Sequence, residues 1–165
     1  MEEKGIVLIE TFTWARHGDH YDRWFSERKA EKPIDAVVSP TGLVAYWRDL
    51  PIAIGFLCKT DSRIAMITNL ISEPHALSHI RSRCIDAVIE ALSDTAAREG
   101  FLFVTTASVI PSIIKRLEKL GFTRTHENLI NLGRSYVDSI SNNGGQCAST
   151  KSTSSGAEKS SGPGQ

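Results

Sequence analysis

The sequence predicts a single α/β domain with a mixed, mostly antiparallel sheet, a central pair of parallel strands and flanking helices. Three observations lead to this fold class. The 165 residues are 41% hydrophobic and 23% charged, which suits one domain with a sizeable core. Strand-like and helix-like patterns alternate over the first 132 residues. One long helical stretch connects two apolar strand-like runs, and such a crossover places the two strands side by side and parallel.

The first half of the chain predicts a strand, a helix and then a meander. Residues 6–12 are rich in β-branched and apolar side chains, as strands are. Residues 19–31 place aromatic side chains at helical spacing, with aspartates near the positive end of the helix. Residues 43–48, 52–59 and 63–71 are short apolar runs separated by turn signals, at 49–51 and again before 63. These three runs predict antiparallel strands.

The second half predicts a helix, a strand, a second helix and a last strand. Residues 78–99 carry an apolar stripe at helical spacing and stop before Gly100, which suits a left-handed helix end. The apolar run at 101–104 follows at once and is predicted to be a fully buried strand. Residues 110–120 form another amphipathic pattern, and 123–132 read as a final extended run.

Composition divides the chain at about residue 138. Residues 139–165 consist mainly of Ser, Gly, Asn, Thr and Lys and contain no aromatic residue. Such a segment buries too little apolar surface to fold alone. We therefore expect a folded domain over 1–138 and a disordered tail over 139–165.

Charge and hydropathy exclude several classes of protein. Basic and acidic residues are equal in number, 19 of each, so no overall field attracts nucleic acid. No apolar run is long enough to span a bilayer, and the first residues lack the pattern of a signal peptide. The three cysteines form no C-x-x-C pair. We expect a cytoplasmic protein without a membrane segment.

Two motifs connect this element order to a known family. Ala96 and Gly100 form an A-x-x-x-G helix end, and residues 119–122 read K-L-G-F, a K-x-G-F sequence. Together they resemble the GNAT superfamily of N-acetyltransferases. The resemblance covers nearly the whole predicted domain and implies a GNAT-like mixed sheet. It also implies acetyl-CoA as the cofactor and an amine as the acceptor, on a small molecule or a protein.

Further residues resemble divergent, often phage-encoded members of this superfamily. Those members have a strand ending in Asn, then a Pro-containing loop, and later a P-S-(L/I)-I-K-R helix. The corresponding residues are Asn69, Pro74 and 111–116. For a phage-encoded chain, the cytoplasmic location would be that of the host.

The resemblance also locates the expected coenzyme A loop, and the sequence departs from the family there. Typical members carry R-G-x-G-x-G/A, and family spacing places this loop on residues 80–85, which contain no glycine. In such a degenerate loop, Arg81 and Arg83 would contact phosphate through their side chains. The usual tyrosine acid falls on Leu117, and a usual asparagine falls on Ile110.

The candidate site residues follow from these positions. The resemblance implies Glu73 as a general base for the incoming amine, and the alternative role is stabilisation of a helix dipole. The residues expected to contact the cofactor are Leu70, Ile71, Ser72, Arg81, Ser82, Arg83, Ser108 and Lys115. Arg81, Arg83 and Lys115 have a plain alternative as solvated side chains on helices.

Other reactive side chains have structural interpretations. His75 and His79 are four residues apart, as two metal ligands on one helix face are, but no third ligand stands at a recognisable spacing. No metal site is predicted. Cys84 lies on the apolar stripe of a helix, which indicates a buried residue. Trp24 and Trp47 fall on predicted core positions.

Two functions therefore stand open from the sequence. The first is a divergent N-acyltransferase that transfers acetyl from acetyl-CoA to an unidentified amine. The alternative is a catalytically inactive protein of the same fold that engages a host or viral partner, as the missing glycines and tyrosine suggest. A phosphate-using enzyme is disfavoured, because no G-x-x-x-x-G-K-[ST] loop occurs.

Overall fold

The computed structural model describes residues 5–108 and 110–125. Over these residues the elements, in chain order, are β1 (Val7–Thr11), α1 (Trp14–Glu27), a 3₁₀ turn (Asp35–Val37), β2 (Gly42–Trp47), β3 (Leu50–Lys59), β4 (Ile64–Ser72), α2 (Ser78–Arg98), β5 (Phe103–Thr105) and α3 (Pro111–Lys119). The predicted strand over 123–132 lies mostly outside the described residues, and the predicted tail over 139–165 lies wholly outside them.

The described strands form one mixed sheet in the order β1-β2-β3-β4-β5. Neighbouring strands are antiparallel from β1 to β4, whereas β4 and β5 are parallel. The helix α2 connects this parallel pair. The predicted fold class is confirmed, including the meander and the crossover. Within the described residues the parallel pair stands at one end of the sheet, since the predicted last strand lies mostly outside them.

The hairpin between β2 and β3 turns one residue earlier than predicted. Its loop is Arg48 and Asp49, both with positive φ, and Leu50 already pairs with Trp47 in the sheet. Two left-handed residues make the twist of the loop match that of the strands. Pro51 therefore lies inside β3 and not in the turn.

Helix α1 begins five residues before the predicted start. Thr13 is its extended N-cap, and the Thr13 N–H donates to His17 Nδ1 over 2.9 Å, so a histidine side chain stabilises the first turn. The helix ends at Glu27, four residues before the predicted end, and Lys29 has φ +50. The left-handed backbone at Lys29 cannot continue a helix.

The core consists of two clusters of buried side chains. One lies under α2 and includes Trp47, Leu57 and Val88, and the other packs against α1 and includes Trp24 and Phe56. Both tryptophans are buried, so the prediction that they belong to the core is confirmed.

Among the residues that the structure describes, none of the helices has the length and apolar character needed to span a bilayer.

Strand β5 is short and only partly buried, so the prediction of a fully buried strand is wrong. The side chains of Leu102 and Phe103 are 76% and 47% exposed. Because α2 packs mainly on β2 and β3, it covers the outermost described strand only in part, and Val104 is the β5 side chain that reaches the cluster under α2. An apolar run alone does not distinguish a central strand from a peripheral one.

Candidate functional site

Strands β4 and β5 separate soon after they pair. Their register joins Ile64–Met66 to Phe103–Thr105, and no further pairs follow among the described residues. β4 continues to Ser72, whereas β5 ends at Thr105. Residues 67–72 therefore have no strand partner on the β5 side within the described part of the chain, and this divergence is called the cleft below. A strand edge of this kind accepts an extended ligand that carries amide groups.

A β-bulge lies in this part of β4. The register with β3 shifts between Ile54 and Phe56, so Asn69 and Leu70 both stand opposite Gly55. Asn69 has φ +50, a left-handed conformation that asparagine tolerates better than most residues. The resemblance placed this asparagine at the end of the strand, and the structure places it three residues earlier. A bulge of this kind bends the strand and locally increases its twist.

Glycine at position 55 permits close packing opposite the bulge. A Cβ there would lie 2.8 Å from Val88 Cγ1 and 3.1 Å from the Cδ1 atoms of Leu70 and Leu92. The distance to Val88 is shorter than a van der Waals contact, and valine has little rotamer freedom in a helix. The missing side chain therefore lets α2 approach the sheet beside the cleft.

Helix α2 begins before the expected coenzyme A loop. Its first residue is Ser78, and Arg81 N–H bonds to Leu77 O, so residues 80–85 lie within the first turns of the helix and do not form a loop. Without glycines, this segment has ordinary helix propensity. The N–H groups of residues 78–80 are the ones that a helix start leaves without intrahelical partners, and the N-cap Leu77 offers no side-chain hydrogen bond. They mark the positive end of a 21-residue helix.

Arg81 binds the connection that leads into α2. Its Nη1 donates to Pro74 O over 3.0 Å and to Ala76 O over 3.4 Å. These carbonyls belong to the same β4–α2 connection that precedes the helix. The Arg81 side chain therefore holds the β4–α2 connection against the first turn of α2.

Arg83 and Ser82 point to other parts of the molecule. Arg83 Nη2 donates to Gly5 O over 3.1 Å, and its guanidinium lies 4.9 Å from the centre of a Trp47 ring. Ser82 O accepts a hydrogen bond from Arg116 Nη1 over 2.9 Å. The structure therefore does not bring Arg81 and Arg83 to one point.

Glu73 directly follows β4 and connects it to α1. Its Oε2 accepts hydrogen bonds from Arg23 Nη2 over 2.5 Å and from Trp24 Nε1 over 2.8 Å, while Oε1 accepts from His75 N–H over 3.2 Å. The side chain is 16% exposed, and Glu73 N–H donates to Ile52 O over 2.8 Å. The carboxylate is thus held at the end of the cleft strand from three directions.

The alternative role of Glu73, stabilisation of a helix start, does not match these contacts. The N-cap of α2 is Leu77, four residues further along the chain. The partners Arg23 and Trp24 were not identified as site residues from the sequence. No local pattern could reveal them, since they are about 50 residues away in the chain.

The other residues predicted on β4 contribute backbone more than side chains to the cleft. Ile71 and Ser72 are buried, at 6% and 4% exposure, and Leu70 packs against the cluster under α2. Arg28 Nη2 donates to Ser72 O over 2.9 Å and to Ser72 Oγ over 3.1 Å. The cofactor contacts available from this strand are therefore main-chain groups.

The remaining predicted residues lie near α3. Ser108 Oγ accepts the Ile110 N–H over 3.1 Å at the start of the helix, and Lys115 is exposed. Arg116, the neighbour of Lys115 in the sequence, pairs with Asp86 on α2. The reason is that α3 packs on α2 through Leu117, which is 8% exposed.

The two histidines considered as a metal pair do not share a helix face. α2 begins at Ser78, so His79 lies in its first turn while His75 lies in the preceding connection. His75 Nε2 is instead 3.4 Å from Glu27 Oε2. One donor atom from each of Glu27, Glu73 and His75 lies within 4.8 Å of the other two.

Cys84 is fully buried, which confirms the structural interpretation of this residue. Burial raises the pKa of its thiol to about 11, a value at which the nucleophilic thiolate is scarce near neutral pH.

A separate concavity of about 530 Å³ lies between β1, β2 and the last turns of α2, lined by residues such as Ile9, Leu43 and Thr95. It includes none of the predicted site residues.

The strand order, the α2 crossover and the diverging parallel pair define the fold of the GNAT N-acetyltransferases. An acetyltransferase from Trypanosoma brucei superposes with a TM-score of 0.56 at 16% identity, over 78% of this chain and 100% of that one. Glucosamine-6-phosphate N-acetyltransferase from Arabidopsis thaliana gives 0.57 at 12% identity, over 79% and 99%. The aminoglycoside N-acetyltransferase AAC(6')-Iy, solved in complex with CoA, gives 0.56 at 11% identity, over 82% and 99%.

These similarities show the fold, and they confirm the fold that the motifs implied. No protein-family model matches the sequence, and no curated protein matches it either. Because function depends on the site and not on the fold, the reaction must be argued from the cleft between β4 and β5.

Proposed function

We propose that the chain is an N-acyltransferase that transfers acetyl from acetyl-CoA to an amine on a small molecule or a protein. The observation that carries this proposal is the open edge of β4 beside β5, which ends at a carboxylate held by three hydrogen bonds. The N-acetyltransferases of the same fold support it, one of them solved in complex with CoA. The equal numbers of basic and acidic residues disfavour nucleic acid as the acceptor.

The main-chain groups of the cleft fit the parts of acetyl-CoA. The pantetheine arm carries amides, which suit the edge over residues 67–71, while Ser72 O already accepts hydrogen bonds from Arg28. The diphosphate suits the N–H groups of residues 78–80, which lie at the positive end of α2 without a capping side chain. This placement replaces the expected loop over 80–85, whose amides lie within the first turns of α2.

Glu73 is the proposed base for the acceptor. The amine nitrogen attacks the thioester carbonyl carbon, the N–C bond forms, and the C–S bond breaks with its electron pair leaving on sulfur. The amine proton passes to Glu73 directly or through a water. Oε1 accepts one hydrogen bond in the structure and retains a second lone pair for that proton. Since Leu117 replaces the usual tyrosine, the thiolate takes its proton from solvent. The orientation of the amine against the thioester then supplies much of the rate.

Acetyl transfer to a panel of amines tests the proposal, with acetyl-CoA binding measured by calorimetry. Glu73→Gln should bind acetyl-CoA within about twofold of the natural chain but lose turnover by roughly 10²–10⁴-fold, as loss of a general base does. Glu90→Gln, an exposed glutamate on α2, is the matched control and should retain full turnover. A folded chain that gives no heat with millimolar acetyl-CoA, or no turnover of any amine, rejects the enzyme.

A second candidate is a catalytically inactive binding protein of the same fold, engaging a host or viral partner. The helical conformation of residues 80–85 favours it, as do the bonds that Arg81 and Arg83 make to main-chain carbonyls of their own chain. For this candidate, calorimetry with acetyl-CoA should show no binding while circular dichroism shows a folded chain. Turnover of any amine excludes it.

A further inference from the structure

We propose that Glu27, Glu73 and His75 form a binding site for a divalent transition-metal ion, best suited to zinc. The proposal goes beyond acyl transfer and does not depend on it. One donor atom from each side chain lies within 4.8 Å of the other two. The three residues come from the end of α1 and from the connection that follows β4. The site therefore links two elements far apart in the chain.

The distances suit a small ion. Zinc binds carboxylate oxygen and imidazole nitrogen at about 2.0–2.2 Å in tetrahedral geometry, so two ligands of one zinc ion lie roughly 3.4 Å apart. His75 Nε2 and Glu27 Oε2 are 3.4 Å apart without any ion between them. Bringing the Glu27 and His75 donors up to Glu73 needs a movement on the order of 1 Å, which falls to these two side chains because they are 33% and 79% exposed.

The donor set also identifies the class of ion. Two carboxylates and one imidazole match the mixed oxygen and nitrogen ligands of zinc, and they provide too few oxygens for calcium. Three protein ligands leave the fourth position to water, as in open zinc sites. His75 is 79% exposed on its side chain, so an ion reaches the site from solvent.

Hydrogen bonds hold one ligand in place before the ion arrives. Glu73 Oε2 is fixed by Trp24 Nε1 and Arg23 Nη2, and Oε1 accepts the N–H of His75 itself. Partners of this kind orient metal-binding carboxylates and raise affinity. The bond from His75 N–H also fixes the backbone of the residue whose side chain is the nitrogen ligand.

Arg23 is the main electrostatic opponent of the ion. Its Nη2 lies 2.5 Å from Glu73 Oε2, and its Nε lies 4.0 Å from Glu27 Oε1. Arg23 therefore pairs with one oxygen of each glutamate. The other oxygens, Glu27 Oε2 and Glu73 Oε1, are the ones that contact His75. Neutralising this guanidinium removes repulsion and should tighten binding.

Calorimetric titration of the full chain with zinc chloride, in a buffer that does not chelate zinc, tests the proposal. We expect one ion to bind per chain, and His75→Ala should weaken binding by at least about tenfold, as removal of a ligand does. His79→Ala is the matched control, because it removes a nearby histidine outside the group, and it should change affinity by less than about twofold. Arg23→Gln should bind several-fold more tightly.

A second probe distinguishes this site from cysteine binding. Cobalt(II) should occupy the same position without a thiolate charge-transfer band, because no sulfur belongs to the proposed ligands. Equal zinc affinity in His75→Ala and the natural chain, or a thiolate band with cobalt, would overturn the proposal. Because His75 is exposed, its replacement leaves the core intact, and circular dichroism checks the fold.

Occupancy has one consequence that rests on the proposed function. An ion on Glu73 occupies the lone pair that would take the amine proton, so zinc should inhibit turnover in the natural chain and not in His75→Ala. A chain that binds zinc but acetylates nothing keeps the metal site and rejects only the enzyme. A chain that acetylates an amine without binding zinc keeps the enzyme and rejects the metal site.

Discussion

Replacement of Leu77 by aspartate tests the anion site at the start of α2. Leu77 is the N-cap, with φ −53 and ψ 136, and its side chain makes no capping hydrogen bond. This extended backbone suits a capping residue, and the leucine is 63% exposed, so little burial is lost. Leu77→Asp places a carboxylate on the same N–H groups that we assign to the diphosphate of acetyl-CoA.

The two effects of Leu77→Asp have opposite signs. A new N-cap adds about 1 kcal/mol to the free energy of unfolding, which raises the Tm by roughly 4 °C in a domain of this size. The same carboxylate repels the diphosphate by about 1 kcal/mol in a water-like dielectric, and one lost charged hydrogen bond costs about 1.5 kcal/mol more. The sum of about 2.5 kcal/mol is a loss of roughly 70-fold in affinity.

Thermal unfolding and calorimetry with acetyl-CoA measure both effects on the same samples. Leu77→Asn should give a similar gain in stability with a smaller loss of affinity, because it caps without charge. Leu77→Ala is the control that changes neither quantity much. If Leu77→Asp becomes more stable but binds acetyl-CoA as the natural chain does, the diphosphate does not bind at this helix start.

Three further predictions concern the core. Gly55→Ala should lower the free energy of unfolding by about 1–3 kcal/mol in urea denaturation, because its Cβ would lie 2.8 Å from Val88; an unchanged midpoint would contradict the close packing. Burial lowers the pKa of His17 below its ordinary 6.5, with Arg16 adding to the effect, so the unfolded chain binds the proton more readily than the folded one. The stability that His17 contributes is therefore present above pH 6.5 and lost as the pH falls below it, and His17→Gln should flatten urea midpoints measured between pH 7 and pH 5. Iodoacetamide followed by mass spectrometry should label exposed Cys58 in the folded chain and Cys84 only after unfolding, and labelling of both at equal rates would be inconsistent with the burial of Cys84.

Much of the fold could be predicted from the sequence because its signals are local. The periodicity of α2 and the Gly100 that follows it are contained within about 23 consecutive residues, and Gly100 does adopt a positive φ of 86°. Turn signals separated the strands of the meander in the same way. Errors occurred where a boundary depends on distant contacts, as at the start of α1, where His17 caps Thr13 while its Nε2 is held by the Tyr46 hydroxyl of β2 over 2.7 Å.

The candidate site was predictable only in part. Glu73 was recognisable because it follows a strand and precedes a long helix. Its partners Arg23 and Trp24 lie about 50 residues earlier, and His75 joins Glu27 across a similar interval. Pairings over such separations arise from packing of α1 against the sheet, which no local pattern encodes.

The sequence by itself determined the element order, the crossover and the position of the glycine-free segment, because hydrophobic periodicity and helix ends depend on neighbouring residues. The tertiary structure decided that Arg81 and Arg83 bind main-chain carbonyls and that β5 is only partly buried. These outcomes depend on which surfaces meet when the chain packs, and the free energy of packing is shared among residues distant in sequence.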